Sequence, residues 1–344
     1  MKYRESVRTT GSLALELFKG VGSLTRKIRN PILTIGNFDG VHLGHVTILD
    51  KVIERARAID GEAVLYTFEP HPRKVLQPDH PPRLLATFEQ KLEFLEEARV
   101  DVVVAEPFDL EFSQTTPETF IHEFVHEKIQ PKEVYVGYDF HFGRDREGSM
   151  RLLTELGPQL GFSVTIIPEV KVGGEDLNST RIRSLLTEGD VEEAAALLGR
   201  PFAVRGVVVG GMRRGREIGF PTANLAPQNE ILPGPGVYAC RVKILEDAKG
   251  AATGESYGAV TNVGYRPTFE DGRDLVAEAH LIDFSGDLYD SKIELSFLKL
   301  LRGEQKFDSV DALKAQIARD VSEGRELLQS DSEVDPERSG AASD

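Results

Sequence analysis

From Ile32 to about Pro168 the chain alternates short β-branched runs with segments of helical period, and beyond Leu198 strand-like runs follow one another instead. In the first stretch ILTIGNF precedes VTILDKVIERARAI, where Val46, Leu49, Val52, Ile53 and Ala56 recur at helical spacing. AVLYTF then precedes TFEQKLEFLEEAR, VDVVVAE precedes PETFIHEFVHEKI, and EVYVG and SVTIIP follow. Strand and helix in repetition predict an α/β fold with a Rossmann-like, doubly wound parallel sheet, whose ligands bind beyond the carboxyl ends of the strands. STRIRSLL and VEEAAALLG read as helices before the texture changes at GRPFAVRG. Past that point AVRGVVVG, VYACRVKIL, SYGAVTNVG, LVAEAHLIDF and KIELSFL are separated by Gly, Pro and Asp clusters, the pattern of an antiparallel β domain. One amphipathic helix, about Ser309 to Leu328, closes it. The reading assigns residues 1–198 to the α/β domain, 199–330 to the β domain, and the small, acidic 331–344 to a disordered tail.

Composition narrows the partners. With 41 basic against 56 acidic residues the formal net charge is −15, which disfavours a nucleic-acid surface. No apolar run reaches the roughly 18 residues of a membrane span, and residues 1–30 lack the apolar block of a secretory signal. A cytoplasmic protein, monomeric or weakly homo-oligomeric, is expected. Cys240 is the single cysteine, so neither an intrachain disulfide nor a thiolate cluster can form.

Four motifs fall where strands of the first half should end. TIGNFDGVHLGH places Gly36, Gly40 and Gly44 on a strand-to-helix turn, and such a turn gathers backbone N–H groups and a helix N-terminus at one point, a ready anion site. His42 and His45 can face the same anion there, and imidazole N–H donors stabilise charge building on a phosphoryl oxygen; alternatively one caps the turn and the other packs. FEPHP puts His71 at a second strand end, and VGYDFHFG puts Asp139, Phe140 and Phe142 at a third, the aromatics able to face a flat ring. NSTRIR opens a helix with Ser179 and Thr180 near its N-cap and Arg181 positioned to clamp outer phosphates.

In the second half, RGVVVGGMRRGREIGFPTANL combines four loop glycines, 210, 211, 215 and 219, with Arg213, Arg214 and Arg216. Such a loop suits phosphates, although a solvated hairpin turn has the same composition. Thr222 and Asn224 in PTAN alternate onto one side of an extended segment, and their uncharged oxygens suit Mg²⁺ held together with nucleotide phosphates.

In order and spacing, TIGNFDGVHLGH, FEPHPRKVL, VGYDFHFGRDREGS and NSTRIRSLL resemble the adenylyltransferase half of the bacterial bifunctional riboflavin kinase/FAD synthetase, one of the HxGH nucleotidylyltransferases. GFPTANL, LPGPGVYA, VTNVGYRPTF, AEAHLIDFSGDLYD and RGEQKFDSVDALKAQIARD resemble its riboflavin kinase half, a small Greek-key β barrel. The resemblance implies that His42 and His45 bind ATP phosphates, that Gly36, Asn37, Phe38, Asp39 and Gly44 shape that site, and that Ser179, Thr180 and Arg181 close on the triphosphate. His71, Asp139, Phe140 and Phe142 would serve the flavin. In the kinase half, Gly211, Arg216 and Gly219 would contact ATP, Thr222 and Asn224 would hold Mg²⁺, and Glu278 would be the base. Riboflavin, FMN and ATP would be the substrates. An FMN phosphate attacking the α-phosphorus of ATP is already ionised and needs no protein base, whereas the ribityl 5′-hydroxyl of riboflavin must lose a proton.

Overall fold

A computed structural model describes residues 15–210, 215, 218–267 and 273–334. The chain divides into two compact units, Met1–Arg83 with Phe88–Asn178, and Leu84–Thr87 with Ser179–Asp344.

The first unit is built on a six-stranded parallel sheet: β1 (Glu16–Lys19), β2 (Ile32–Ile35), β3 (Ala63–Glu69), β4 (Val102–Pro107), β5 (Glu133–Gly137) and β6 (Ser163–Ile167), in the order β1-β4-β3-β2-β5-β6. β2 is buried along its whole length, as a central parallel strand covered on both faces must be. The chain leaves β2 toward β3 and β4 on one side and returns to β5 on the other. That reversal makes a switch point beyond the ends of β2 and β5, where a crevice opens in folds of this kind. Helix α1 (Leu43–Ala58) crosses from β2 to β3, and its buried Leu49, Val52 and Ala56 occupy the face anticipated from the sequence. Helix α2 (Phe88–Glu97) precedes β4 and buries Gln90, Lys91 and Leu95.

PETFIHEFVHEKI differs from a plain α-helix. After one α-turn at Pro117–Thr119 it runs as a π-helix over Phe120–Ile129, closed by the bond from Gln130 N–H to Val125 C=O. Its buried Phe120, Val125 and Ile129 fall five and four residues apart, the spacing of turns closed by i→i+5 bonds.

Helices α3 (Ser179–Glu188) and α4 (Val191–Leu198) fall in the second unit with the barrel, rather than with the α/β domain that the sequence leads one to end at residue 198. The barrel strands are β7 (Phe202–Val209), β8 (Ala223–Pro227), β9 (Gly236–Glu246), β10 (Ser256–Pro267), β11 (Arg273–Leu281) and β12 (Lys292–Arg302). They close in the order β7-β8-β11-β10-β9-β12, all pairs antiparallel. β12 returns beside β9 after the β9-β10-β11 meander, which is a Greek key. Alternation decides which side faces in: Ile293, Leu295 and Phe297 on β12 are fully buried, with partly exposed residues between. α4 lies against β7 and β12. The closing helix α5 (Val310–Val334) runs six residues past the expected Leu328, so the first residues assigned to the tail are helical; the rest of it, from residue 335, lies outside the described residues. Val321 and Leu328 of α5 pack on Val237, Val260 and Ile282. Among the described residues no helix is long and apolar enough to cross a membrane.

Candidate active sites

In the first unit the turn from β2 into α1 carries GNFDGVHLGH. Phe38, Gly40 and Val41 all adopt positive φ, 50°, 75° and 38°, so the chain reverses within four residues. Phe38 fills the core under the turn with Leu49, Leu65 and Leu95, and its ring stacks on His45 with centroids 4.6 Å apart. His42 is the N-cap of α1, its Nδ1 accepting at a long 3.4 Å from the His45 N–H. Accepting through Nδ1 leaves the proton on Nε2, which is then a donor; the residue as a whole is 5% exposed. The His42 and His45 rings stack at 3.7 Å and 17°. Capping and packing, the alternative functions read for these histidines, are thus both present, and they fix the imidazoles side by side at a helix N-terminus. Gly44 leaves room for this: a Cβ there would stand 3.1 Å from both Cε1 and Nδ1 of His42, so the ring would have to give way by a few tenths of an ångström. A Cβ on Gly36 would meet the Phe38 ring at 3.0 Å.

Asp39 is 7% exposed. Beneath the turn, Lys91 donates from Nζ to the Asn37 carbonyl at 2.5 Å and to Thr67 Oγ1 at 2.6 Å. Burial pushes this ammonium down to about 8, against the opposing pull of Asp39 and Glu69. No motif in the sequence pointed to Lys91.

The other strand ends of this unit behave differently. His71 caps the short helix Pro72–Leu76, accepting through Nδ1 from Arg73 N–H at 3.1 Å. Asp139 is exposed after β5, with Oδ1 folded back over Gly137. Phe140 is half-buried, and Phe142, 6% exposed, belongs to the core, stacked on Phe140 at 5.3 Å and tilted against Phe120 at 5.7 Å. Phe142 therefore anchors the loop from within rather than from an open face.

Ser179, Thr180 and Arg181 form the first turn of α3 in the second unit, and Arg181 pairs with Glu193 of α4 at 3.0 Å. Gly211 and Arg216 lie outside the described residues, as do Arg213 and Arg214. Gly219 has φ +91° and open space where a Cβ would be, and Gly215 lies so close to Phe220 C=O that a Cβ would sit 2.4 Å from that oxygen. The same Cβ would be 3.3 Å from Thr222 Oγ1.

Register assembles the rest. Glu278 on β11 stands directly opposite Asn224 on β8 and Asn262 on β10. Directly paired residues share a face, and because Ala223, Leu225, Ala277 and Ala279 point inward, the row Asn224–Glu278–Asn262 lies on the outside of the barrel. His280, two along, shares that face; its Nδ1 donates to Pro221 C=O at 2.8 Å and its ring meets Phe220 edge-on at 5.5 Å. The segment carrying Thr222 is held by this contact. Asn224 Oδ1 is buried with no hydrogen-bond partner among the described residues. A buried carbonyl-type oxygen left unmatched costs about 1–3 kcal/mol, and a hydrogen-bond donor or a hard cation would satisfy it.

Residues 25–181 match the family model for FAD synthetase, and residues 198–328 match that for riboflavin kinase. The chain is 38% identical over 315 residues to a bifunctional riboflavin kinase/FMN adenylyltransferase of Escherichia coli K12, covering 91% of this chain and 98% of that protein. It is 35% identical to one of Haemophilus influenzae, covering 92% of this chain and all of the relative. A solved structure described as a macrolide-efflux protein from Streptococcus pneumoniae is similar at a TM-score of 0.81 and 30% identity, over 91% of this chain and 99% of that one.

Proposed function

From the premise that the chain belongs to the bifunctional riboflavin kinase/FMN adenylyltransferase family, we propose how its residues divide the two reactions. The enzyme phosphorylates riboflavin to FMN and transfers an adenylyl group from ATP to FMN, releasing pyrophosphate; riboflavin, FMN and ATP are its substrates.

In the adenylyl transfer, the Nε2–H edge of His42, the ring of His45 and the N-terminus of α1 grip the triphosphate in the turn shaped by Gly36, Asn37, Phe38, Asp39 and Gly44. Donors fixed in place stabilise charge as the FMN phosphate oxygen bonds to the α-phosphorus and the bond to pyrophosphate breaks. His71 after β3, and Asp139 and Phe140 after β5, serve the flavin, and Phe142 supports the loop that carries the latter two. For Ser179, Thr180 and Arg181 the assignment to the triphosphate rests on resemblance alone.

In the kinase reaction, Glu278 takes the proton of the ribityl 5′-hydroxyl as that oxygen bonds to the γ-phosphorus and ADP leaves. Thr222 and Asn224 would hold Mg²⁺, which supplies charge neutralisation for the phosphates, and the unmatched Asn224 Oδ1 fits that role. Gly219, with Gly211 and Arg216, belongs to the ATP loop. The observation carrying this division is that the stacked His42–His45 pair and the Asn224–Glu278 row stand in different compact units. The acidic composition and the motif set support an enzyme of small molecules rather than nucleic acid, cytoplasmic, and a monomer or weak homo-oligomer. The test is separability: His45→Ala and Glu278→Ala, each assayed for both products by chromatography, should each silence one reaction. Loss of both reactions in a folded variant would overturn the division.

A further inference from the structure

Lys91 is a buried charge that neither reaction, as described, uses. It stands on α2, 7% exposed, four residues before the fully buried Leu95, so the helix face that fills the core also carries an ammonium. Its Nζ reaches the Asn37 carbonyl at 2.5 Å and Thr67 Oγ1 at 2.6 Å. Thr67, fully buried, gives its own hydroxyl hydrogen to the same carbonyl at 3.3 Å. Two donors from two elements thus converge on one main-chain oxygen. The residues that follow it are the left-handed Phe38, Gly40 and Val41. For Phe and Val that backbone region is costly and persists only where the surroundings over-determine it. Phe38 in turn lies against the His45 ring.

Resting on the reading that His42 and His45 serve adenylyl transfer, we propose that Lys91 is a positioning residue for that reaction, its ammonium locking the Asn37–Val41 turn and so setting the ring of His45. The charges facing it are Asp39 from the turn and Glu69 from the end of β3; burial lowers its titration and these two carboxylates oppose that, leaving it at about 8. Above that pH the turn is held by a neutral amine, a weaker donor than the ammonium.

The experiment uses the full-length protein, with FAD formation from FMN and riboflavin phosphorylation measured on the same samples between about pH 6 and 10. Lys91→Met should lower kcat for FAD formation by about tenfold or more, with KM for FMN nearly unchanged and phosphorylation intact. The wild-type adenylyl rate should fall as pH rises through about 8, without a matching fall in phosphorylation. Lys91→Arg, which stays charged at any accessible pH, should recover part of the rate and lose that alkaline limb. A Met variant making FAD at the wild-type rate overturns the proposal, as does a wild-type adenylyl profile that is level through pH 8. If the Met variant loses both activities, the comparison of the wild-type and Lys91→Arg profiles decides instead. Failure of the wild type to make FAD from FMN would instead overturn the underlying site reading, and the proposal with it.

Discussion

On the proposed division, the two units meet the same problem, a nucleoside triphosphate, with opposite materials. In the first, donors converge at a helix N-terminus beyond a parallel sheet: two imidazoles 3.7 Å apart above a turn tied down by a lysine. In the second, a carboxylate stands between two amides on the outside of a barrel, and the histidine nearest to it bonds backbone rather than open space. On the proposed division of the two reactions, the nucleophiles would explain the difference. A phosphate brings its own negative charge and needs only positive partners and alignment; an alcohol needs a base, and a base beside phosphates needs a cation to offset the repulsion.

The sharpest way to break this contrast is at Glu278. Glu278→Gln keeps the shape and removes the base, and riboflavin phosphorylation should fall by about 100- to 10,000-fold while adenylyl transfer persists. Retention of phosphorylation would show that the hydroxyl loses its proton elsewhere. His45→Ala should lower FAD formation by about 100-fold or more, sparing phosphorylation; coupled loss would erase the distinction between the units.

Lys91 offers a thermodynamic test confined to the first unit. Its titration is displaced downward, from 10.5 in the unfolded chain to about 8, by burial. Between these values the unfolded state binds the extra proton, so stability rises with pH across that window, and the penalty is fully present below pH 8. The gain is about 3 kcal/mol, or roughly two orders of magnitude in the folding equilibrium. Urea titrations of wild type and Lys91→Met should therefore diverge in favour of the wild type as pH climbs to about 10, while its adenylyl rate declines. A constant difference would mean that this lysine titrates normally. Gly44→Ala comes next: its Cβ would press on His42 at 3.1 Å, and a shift of a few tenths of an ångström in the stacked pair should reduce FAD formation about tenfold.

How far these sites could be read from the chain follows from the range of the interactions. The turn and α1 were legible because both are local: the glycines, the histidines and the apolar face of Val46, Leu49, Val52 and Ala56 lie within 21 consecutive residues, Gly36 to Ala56. The alternation of strand and helix likewise announced the parallel sheet, and the succession of strand runs an antiparallel β domain, whose closure into a barrel came from resemblance alone. Lys91 was not legible, because TFEQKLEFLEEAR reads as a helix with a solvated charged side. Only its position four before Leu95 hinted that it faces inward. The row Asn224–Glu278–Asn262 is a matter of strand register between distant segments, which no local pattern encodes, so Asn262 went unremarked. Phe142 shows the converse, an aromatic in a site motif that the fold spends on its core. The widened turns of Phe120–Ile129 were hidden because α and π periods differ by less than one residue over so short a span.

The smallest expected effect falls on the histidine that the contrast treats as structural. His280 donates to Pro221 C=O and so holds the segment bearing Thr222. His280→Phe keeps a ring against Phe220 and deletes the donor, a loss of about 1 kcal/mol. If that contact only sets the position of Thr222, KM for ATP in phosphorylation should rise about fivefold with kcat nearly constant, since ground state and transition state would lose the same interaction. A fall in kcat with KM unchanged would place His280 beside the transferring phosphoryl group. The barrel site would then depend on an imidazole as the first unit does, and the contrast between the two units would narrow to the presence of Glu278.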